Sequence, residues 1–443
     1  MKKFWIVLLA LGLVAGFAMS ASAADVKFGG QYYVYGIYND NPTFVKSNKT
    51  SQAYYHQRLR IQTEFKVAEG LSLVTRLDAL EKPWGYGQVG TTDAWRASNS
   101  YDSISRSSTG ATGARAQENI EFERAYIDMT TKIGRFNIGY QDFIYWGTMF
   151  LDTHATRPGI KYIVPVGPLT VVAALEKTVE QTVGTGYRDD ADNNIYDLGA
   201  IYKFGAGDAG LLYQYADMKY TRPLGYKTTL HILNPYAKMK FGPVYFEAEG
   251  VYGFGKWVDS EIAAVSSVDA QALGLYLHAK ADIGPAYVGG ILAYMSGDDI
   301  STTDKKEGTF AAALLAGQAW DPCLIMWNDG LYNGQHRAIG TGLGVFFDNA
   351  YFAQVYGGFK PVKQADIMLS VTWAKADQDV VARQISKDIG WEIDLVAKYK
   401  IFDNLEYMIG AGYLLTGDYF KMADTSRQLD NNYMLVHKLT LSF

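Results

Sequence analysis

The last eleven residues of the chain, 433–443, alternate between apolar and more polar side chains. In steps of two from Phe443, one set is apolar except for His437, whereas the other set includes Lys438 and Thr440. Successive side chains of a β-strand point to opposite faces, so a period of two predicts a strand. The chain is therefore expected to end in a strand with one apolar face and an aromatic terminal residue on that face.

The beginning of the chain has the three parts of a secretory signal peptide. Lys2 and Lys3 form a charged start, residues 4–17 are apolar, and the small residues 21–23 supply a cleavage site. An apolar run of about 14 residues is shorter than the ~20 that a membrane-spanning helix needs. We therefore predict that the first 23 residues are removed, which leaves a mature chain of residues 24–443.

Composition narrows the class of exported protein. Without Lys2 and Lys3 the formal net charge falls from −5 to −7, which argues against nucleic acid as a partner. Cys323 is the only cysteine, so an internal disulfide cannot form. The 33 Tyr, 45 Gly and 11 Pro suit a barrel with an apolar outer wall and a wet inner wall. Because no linker or composition shift divides the mature chain, we predict a single domain over residues 24–443.

Several internal segments alternate in the same way as the terminal one. At residues 56–67, charged and amide side chains alternate with mostly apolar ones, and residues 391–401 repeat the pattern. Residues 366–373 and 405–416 follow it as well. A soluble β-sandwich also alternates, but its outer face is rarely this aromatic. The pattern predicts strands that have lipid on one side and water on the other.

The connections between these segments alternate between short and long, as in outer-membrane barrels. Short turns are predicted at residues 68–70, 132–134, 167–168, 205–208, 242–243, 284–285, 361–365 and 402–404. Long connections lie near residues 39–52, 82–116, 142–157, 179–192, 220–227, 257–268, 298–349, 377–388 and 417–431. These connections predict an all-β fold, a transmembrane antiparallel up-and-down β-barrel of 18 strands. Residues 338–347 form a further strand-like stretch, which leaves the strand number open by two. Sixteen strands is the alternative.

Short motifs along most of the mature chain resemble those of outer-membrane porins. Residues 57–62 and 68–78 resemble the N-terminal hairpin of 18-stranded porins. Residues 390–395 and 410–418 are similar to the last hairpin of alginate-export-type barrels. Porin-like motifs also occur at residues 124–128, 134–141 and 146–147. The chain as a whole resembles porins of anaerobic metal- and sulfate-reducing bacteria.

The resemblance implies a location in the outer membrane, contact with its lipids, and insertion by the barrel-assembly machinery. It also implies that Phe443 is the signal which that machinery reads. The wider group contains both diffusion pores and polymer-secretion pores, so the solute stays open at this point. A homo-oligomer is likewise left open.

Charged residues on the first strands are the candidates for the lining of the pore. The basic candidates are Arg58, Arg60, Arg76, Arg124 and Arg135. The acidic candidates are Glu64, Asp78, Asp128, Asp142 and Asp152. Charges that line a lumen tune its selectivity, so we expect the arginines to favour anions such as small carboxylates. The alternative is that they are ordinary wall charges, whose field the carboxylates on the same strands cancel.

The third long connection, residues 142–157, is hereafter called the third loop. It carries Tyr145, Trp146, Met149 and Phe150 together with Asp152 and His154. In porins a third loop commonly folds inward, so the family resemblance makes this loop the candidate for the narrowest part of the pore. A position in an aromatic girdle at the membrane interface is the alternative for Tyr145 and Trp146.

The seventh long connection, residues 298–349, is hereafter called the seventh loop. Its segments 310–316 and 320–327 are too apolar for a freely solvated surface loop. The loop is expected either to pack into the barrel mouth as a plug or to contact a neighbouring subunit.

The sequence therefore predicts a passive outer-membrane pore for small hydrophilic solutes. It shows no motif for a covalent haem, a zinc site or a catalytic triad, so we expect no enzyme activity, no cofactor and no metal. The alternative function is a surface or structural barrel whose loops bind a partner such as a cytochrome or the extracellular matrix.

Overall fold

The computed structural model describes residues 25–84, 120–143, 145–152, 156–181, 191–308, 320–328, 331 and 347–443. The predicted signal peptide and most of the strand-like stretch 338–347 lie outside these ranges, so both stay predictions. No helix in the described ranges is long and apolar enough to span a lipid bilayer. The helical turns found there are 3-10 helices at Lys46–Asn48, Arg222–Leu224 and Asp418–Lys421.

Eighteen long strands and one two-residue strand make up the described fold. The first half comprises β1 (Asp25–Asn39), β2 (Gln52–Ala68), β3 (Leu71–Pro83), β4 (Ile120–Thr131), β5 (Gly134–Asp142), β6 (Thr156–Val166), β7 (Leu169–Val179), β8 (Asn193–Phe204) and β9 (Gly207–Met218). The second half comprises β10 (Tyr226–Phe241), β11 (Val244–Ser260), β12 (Val268–Ile283), β13 (Ala286–Met295), the short β14 (Lys305–Lys306), β15 (Ala350–Phe359), β16 (Ala365–Ala376), β17 (Asp388–Phe402), β18 (Leu405–Thr416) and β19 (Asn432–Ser442).

Each long strand pairs antiparallel with the next long strand along the chain. β13 pairs with β15, because β14 belongs to the seventh loop and only adds two parallel pairs to β12. β19 pairs with β1, starting from Gln31 opposite Ser442, and so closes the barrel. Phe443 extends this pairing: the Gly30 N–H donates to its carbonyl at 2.8 Å, and its own N–H donates to the Gly30 carbonyl at 3.1 Å. The predicted barrel of 18 strands is confirmed, and the alternative of 16 is wrong.

The short turns lie where the sequence predicts them, all at one end of the barrel. Gly167, Gly242 and Gly284 each begin a Gly-Pro turn with a positive φ of 60°, 56° and 61°. A Cβ atom added to any of them would meet nothing within 4 Å, so the backbone conformation is what requires glycine there. The long loops are gathered at the opposite end, as an up-and-down barrel demands.

The two faces of each strand differ as predicted. On β17, Trp391, Ile393 and Leu395 are 49%, 40% and 50% exposed, whereas Glu392 and Asp394 between them are buried. The apolar set faces outward because hydrocarbon surrounds the barrel, and the polar set faces the lumen. On β19 the one polar member of the outward set, His437, packs edge-on against the ring of Tyr55.

Candidate functional site

The third loop leaves β5 and crosses the inner face of the barrel from β6 to β10. The Trp146 ring packs perpendicular to Tyr236 on β10, and its Nε1 donates to the Asn234 carbonyl at 2.9 Å. Glycine makes room for this ring, because a Cβ atom at Gly199 or Gly210 would lie 2.8–2.9 Å from it. The alternative of an interface girdle is therefore wrong for Trp146.

Beyond Trp146 the third loop is fastened to β11 and β12. The backbone N–H and the hydroxyl of Thr148 donate to one oxygen of the Glu249 carboxylate at 2.9 Å and 2.5 Å. Phe150 stacks on Tyr276 with ring centroids 4.9 Å apart. Met149 is 60% exposed. These contacts hold the loop along about half of the inner circumference.

Asp152 closes a turn within the third loop. Its Oδ1 accepts the Trp146 backbone N–H at 2.8 Å. Burial raises the pKa of Asp152 to about 7, although this hydrogen bond and the nearby Lys238 ammonium both act to lower it. Among the described contacts Asp152 forms no ion pair with the predicted arginines, so its part is to shape the loop. His154 lies outside the described residues.

The seventh loop is fastened to the inner face of β17 through its backbone. The Ile325 and Met326 N–H groups donate to the two oxygens of the Glu392 carboxylate at 2.6 Å and 2.8 Å. The Leu324 N–H donates to Asp394 at 3.3 Å. Two buried carboxyl groups therefore accept hydrogen bonds from three consecutive N–H groups.

Further contacts hold the seventh loop against the neighbouring strands of the same wall. Gly410 and Gly412 on β18 leave space for the Leu324 side chain, which lies 3.0 Å and 3.2 Å from their ideal Cβ positions. At the other end, the Tyr35 hydroxyl on β1 donates to the Leu331 carbonyl at 2.8 Å. The described part of the loop thus runs from β18 to β1 inside the barrel.

Cys323 is buried where the seventh loop meets β16 and β17. Its thiol donates to the Thr372 hydroxyl at 3.4 Å. Burial, with the negative charges of Glu392 and Asp394, raises the pKa of the thiol well above its usual range. The thiol and the two carboxylates lie within 4.8 Å of one another, but backbone N–H groups already occupy the carboxylates.

The two loops meet in an aromatic cluster inside the barrel. Phe150 of the third loop lies 5.1 Å from Trp320 and 5.8 Å from Phe347, both of the seventh loop. Among the described residues, the contacts of the two loops fall mainly on β6–β12, on β15–β18 and on β1. On β2 the Tyr54 hydroxyl donates to the Leu331 carbonyl at 3.5 Å, and Arg76 and Arg124 meet Asp142 and Tyr145 at the start of the third loop. Most of the inner face of β2–β5 carries no contact from the described residues of the two loops.

Arginines and carboxylates line that part of the wall. Arg60 makes a bidentate contact with Asp78 at 2.7 Å and 2.5 Å. Arg58 lies 3.8 Å from Asp78 and 3.5 Å from Glu81. Asp78 is almost fully buried, whereas the other three side chains are partly exposed to the lumen.

A second group repeats this arrangement further round the wall. Arg76 pairs with Glu123 at 3.1 Å and lies 3.9 Å from Asp142. Arg124 forms an ion pair with the same Asp142, and its guanidinium also lies over the ring of Tyr145, which is 46% exposed. We call the two groups together the charged wall, consisting of Arg58, Arg60, Arg76, Asp78, Glu81, Glu123, Arg124 and Asp142.

The remaining predicted residues form separate pairs on the same side of the barrel. Arg135 makes a bidentate ion pair with Asp128. Glu64 pairs with Lys27 at 3.3 Å and accepts the Ser72 hydroxyl at 3.2 Å. All five predicted arginines therefore have a carboxylate partner.

The sequence did not single out Glu81 and Glu123. A strict period of two that places Arg76 and Asp78 inward would point Glu81 outward. The strand pairings shift register beside both glutamates, and Leu80 adopts a positive φ of 59°. Such β-bulges change the phase of alternation, which brings the two glutamates to the lumen side.

Comparison with known proteins decides the family. The sequence profile of the Gram-negative porin family matches residues 7–318. The chain belongs to the Gram-negative porin family. As a porin it is a passive diffusion channel of the outer membrane, in contact with small solutes and membrane lipids, and not an enzyme. Family membership favours this channel over the alternative of a surface or structural barrel. A comparison with curated proteins finds no match.

Solved porins share the fold at low sequence identity. OccK2 (OpdF) of Pseudomonas aeruginosa in complex with glucuronate is 12% identical, with a TM-score of 0.53 over 95% of this porin and 97% of that chain. Pseudomonas aeruginosa OpdK with vanillate is 13% identical, with a TM-score of 0.54 over 95% and 99%. A BenF-like porin from Pseudomonas fluorescens Pf-5 is 12% identical, with a TM-score of 0.53 over 95% and 99%. Identities this low support the barrel fold alone.

Proposed function

We propose that small hydrophilic solutes cross this porin along the charged wall of β2–β5. The observation that carries the proposal is the course of the two inward loops, whose described contacts lie mainly on the other sectors of the wall. The partial exposure of the wall side chains supports this route. Their exposed fractions are 18–30% for Arg58, Arg60, Arg124, Glu81 and Glu123. A solute that follows this route meets charge at each step, which disfavours apolar compounds.

Cysteine accessibility tests the route. Glu81→Cys or Glu123→Cys, in a Cys323→Ser background, should react with a charged thiol reagent from solution, and the reaction should lower single-channel conductance. The matched control is Ala174→Cys, whose position on the inner face of β7 is packed against the buried cluster around the third loop. If position 174 reacts and blocks current while positions 81 and 123 do not, the route along β2–β5 is wrong.

Solutes that carry a carboxylate are proposed to be among those transported. The arginines of the charged wall support this, and two solved porins of the same fold were crystallised with glucuronate and with vanillate. The anion preference expected from the sequence stays a prediction. The pairing of each arginine with a carboxylate argues for weak selectivity between anions and cations, because the fields of paired opposite charges largely cancel. Salt screens the remaining field beyond ~8–10 Å.

Reversal potentials in a salt gradient measure that selectivity. The wild type is expected to show a small reversal potential, and Arg58→Ala/Arg76→Ala should shift it toward cation selectivity, because Glu81 and Glu123 lose their arginine partners. Strong anion selectivity of the wild type would contradict the weak selectivity argued here and would support the anion preference expected from the sequence. An unmoved potential in the double variant would show that these arginines lie off the conducting path.

We further propose that export removes residues 1–23 and that the seventh loop acts as a plug. Intact-mass measurement of the protein from outer membranes should give the mass of residues 24–443. The plug is favoured over a subunit contact because the described part of the loop packs on Glu392, Asp394 and Tyr35, which all face the lumen.

A further inference from the structure

The charged wall contains as many carboxylates as arginines. Its cationic members are Arg58, Arg60, Arg76 and Arg124, and its anionic members are Asp78, Glu81, Glu123 and Asp142. Opposite Asp78 in the β3–β4 register lies Glu121, a further carboxylate on this strand pair. The wall therefore offers a passing solute both signs of charge at close range and no excess of positive charge.

The carboxylates of the wall fall into two layers. Asp78 and Asp142 have side chains only 2% and 5% exposed, and each is shared by two arginines. Glu81 and Glu123 are 30% and 23% exposed, and each holds one arginine at 3.5 Å or 3.1 Å. The buried layer keeps the arginines in place, whereas the exposed layer can exchange its partner with a solute.

We propose that this porin favours dipolar solutes, which carry a cationic and a carboxylate group in one small molecule, over simple anions or cations of the same size. This inference rests on the proposed route along the charged wall. A simple anion that binds Arg58 must displace Glu81 and leaves that carboxylate without a partner, next to a second negative charge. A dipolar solute replaces one wall pair by two, because its carboxylate meets the arginine while its cation meets the glutamate. The exchange leaves no charge uncompensated.

A matched series of linear solutes tests the proposal: 4-aminobutyrate, succinate, 1,4-diaminobutane and the uncharged butane-1,4-diol. Permeation is measured with proteoliposomes that contain the full barrel, against protein-free liposomes. We expect 4-aminobutyrate to permeate faster than succinate and 1,4-diaminobutane by about two- to fivefold, the effect of one partly exposed ion pair.

Two double variants distinguish the effect of the Arg58–Glu81 ion pair from the effect of the net charge of the wall. Arg58→Gln/Glu81→Gln removes one exposed pair without changing the net charge, and it should abolish most of the preference for 4-aminobutyrate. Glu81→Gln/Glu123→Gln leaves the wall with two positive charges in excess, and it should turn the preference toward succinate. The control, Lys256→Gln/Asp269→Asn, removes an ion pair between the loop ends of β11 and β12 and should leave the solute order unchanged.

Permeation of the uncharged solute tests the route along the charged wall separately from the preference for dipolar solutes. If butane-1,4-diol does not permeate above the protein-free level, the proposed route through an open pore fails. If it permeates while 4-aminobutyrate shows no advantage, or if the Arg58→Gln/Glu81→Gln variant keeps the advantage, the preference for dipolar solutes is overturned and the route stands.

Discussion

At the scale of single residues, Asp152 makes the third loop sensitive to pH. Its pKa lies at about 7 in the folded loop and at 3.8 when unperturbed, so the folded loop binds the proton more tightly. Stability of the loop is therefore highest at low pH, falls as pH rises from about 4 to about 7, and levels off above that. Each unit of pKa difference is worth about a factor of ten, so hydrogen exchange of residues 145–152, corrected for intrinsic rates, should speed up at least about tenfold over this interval.

The Asp152→Asn variant is the control for this prediction. The amide oxygen can still accept the Trp146 N–H, but the side chain no longer titrates, so the corrected exchange rate should change less with pH than in the wild type. Exchange in β17, which contains no residue of the loop, should remain slow throughout. Equal pH dependence in the variant and the wild type would contradict the assignment to Asp152.

Gly199 is a second single residue on which the third loop depends. A side chain at this position meets the Trp146 ring, so Gly199→Val should displace Trp146 from the wall. Because the displaced loop then lies further into the lumen, conductance should fall by a factor on the order of two and fluctuate more. The matched control is Gly250→Val, where the new Cβ makes ordinary contacts at 3.7 Å. Unchanged conductance in the Gly199 variant would show that the loop tolerates the extra side chain.

At the scale of elements, the seventh loop depends on the Glu392 carboxylate. Glu392→Ala removes the acceptor of two backbone N–H groups, and each buried donor that is left unsatisfied costs about 1–3 kcal/mol. The loop should leave the wall and expose Cys323, so a maleimide that leaves the wild-type thiol unmodified should label the variant. The matched control is Asp128→Ala, whose carboxylate pairs with Arg135 on another part of the wall. Labelling that is equally slow in all three proteins would refute this anchoring role.

Deletion of residues 310–327 distinguishes the plug from a subunit contact. If the loop is a plug, single-channel conductance should increase while the oligomeric state in detergent stays the same. If it is a subunit contact, the oligomer should dissociate and conductance per pore should stay similar. No change in either measurement would contradict both interpretations.

At the scale of the whole molecule, closure of the barrel depends on the terminal residue. Phe443 adds a pair of backbone hydrogen bonds with Gly30 to the β1–β19 pairing, and the family resemblance predicts that it is the assembly signal. Its deletion should lower the outer-membrane yield several-fold and increase degradation in the periplasm. Phe443→Tyr keeps an aromatic end and should assemble normally. A heat-modifiable barrel of normal abundance after the deletion would refute this role.

The barrel could be predicted from the sequence because its determinants are local. A side-chain period of two is visible within a single strand, as in residues 391–401. Turn chemistry is visible within two residues, as at Gly242-Pro243. Both follow from the geometry of the backbone and from the contrast between lipid and water. These features determined the strand number, the closure and the inward position of the arginines.

The pairing of charges and the course of the loops were decided only by the tertiary structure. Glu81 and Glu123 reach the lumen because bulges shift the phase of their strands, and such a shift depends on the neighbouring strand. Ile325 meets Glu392 across 67 residues of chain, and no local pattern specifies so distant a contact. The sequence by itself therefore determined which side chains of the regular strands face the water, whereas the tertiary structure decided which of them neutralise one another and where the described parts of the loops lie on the wall.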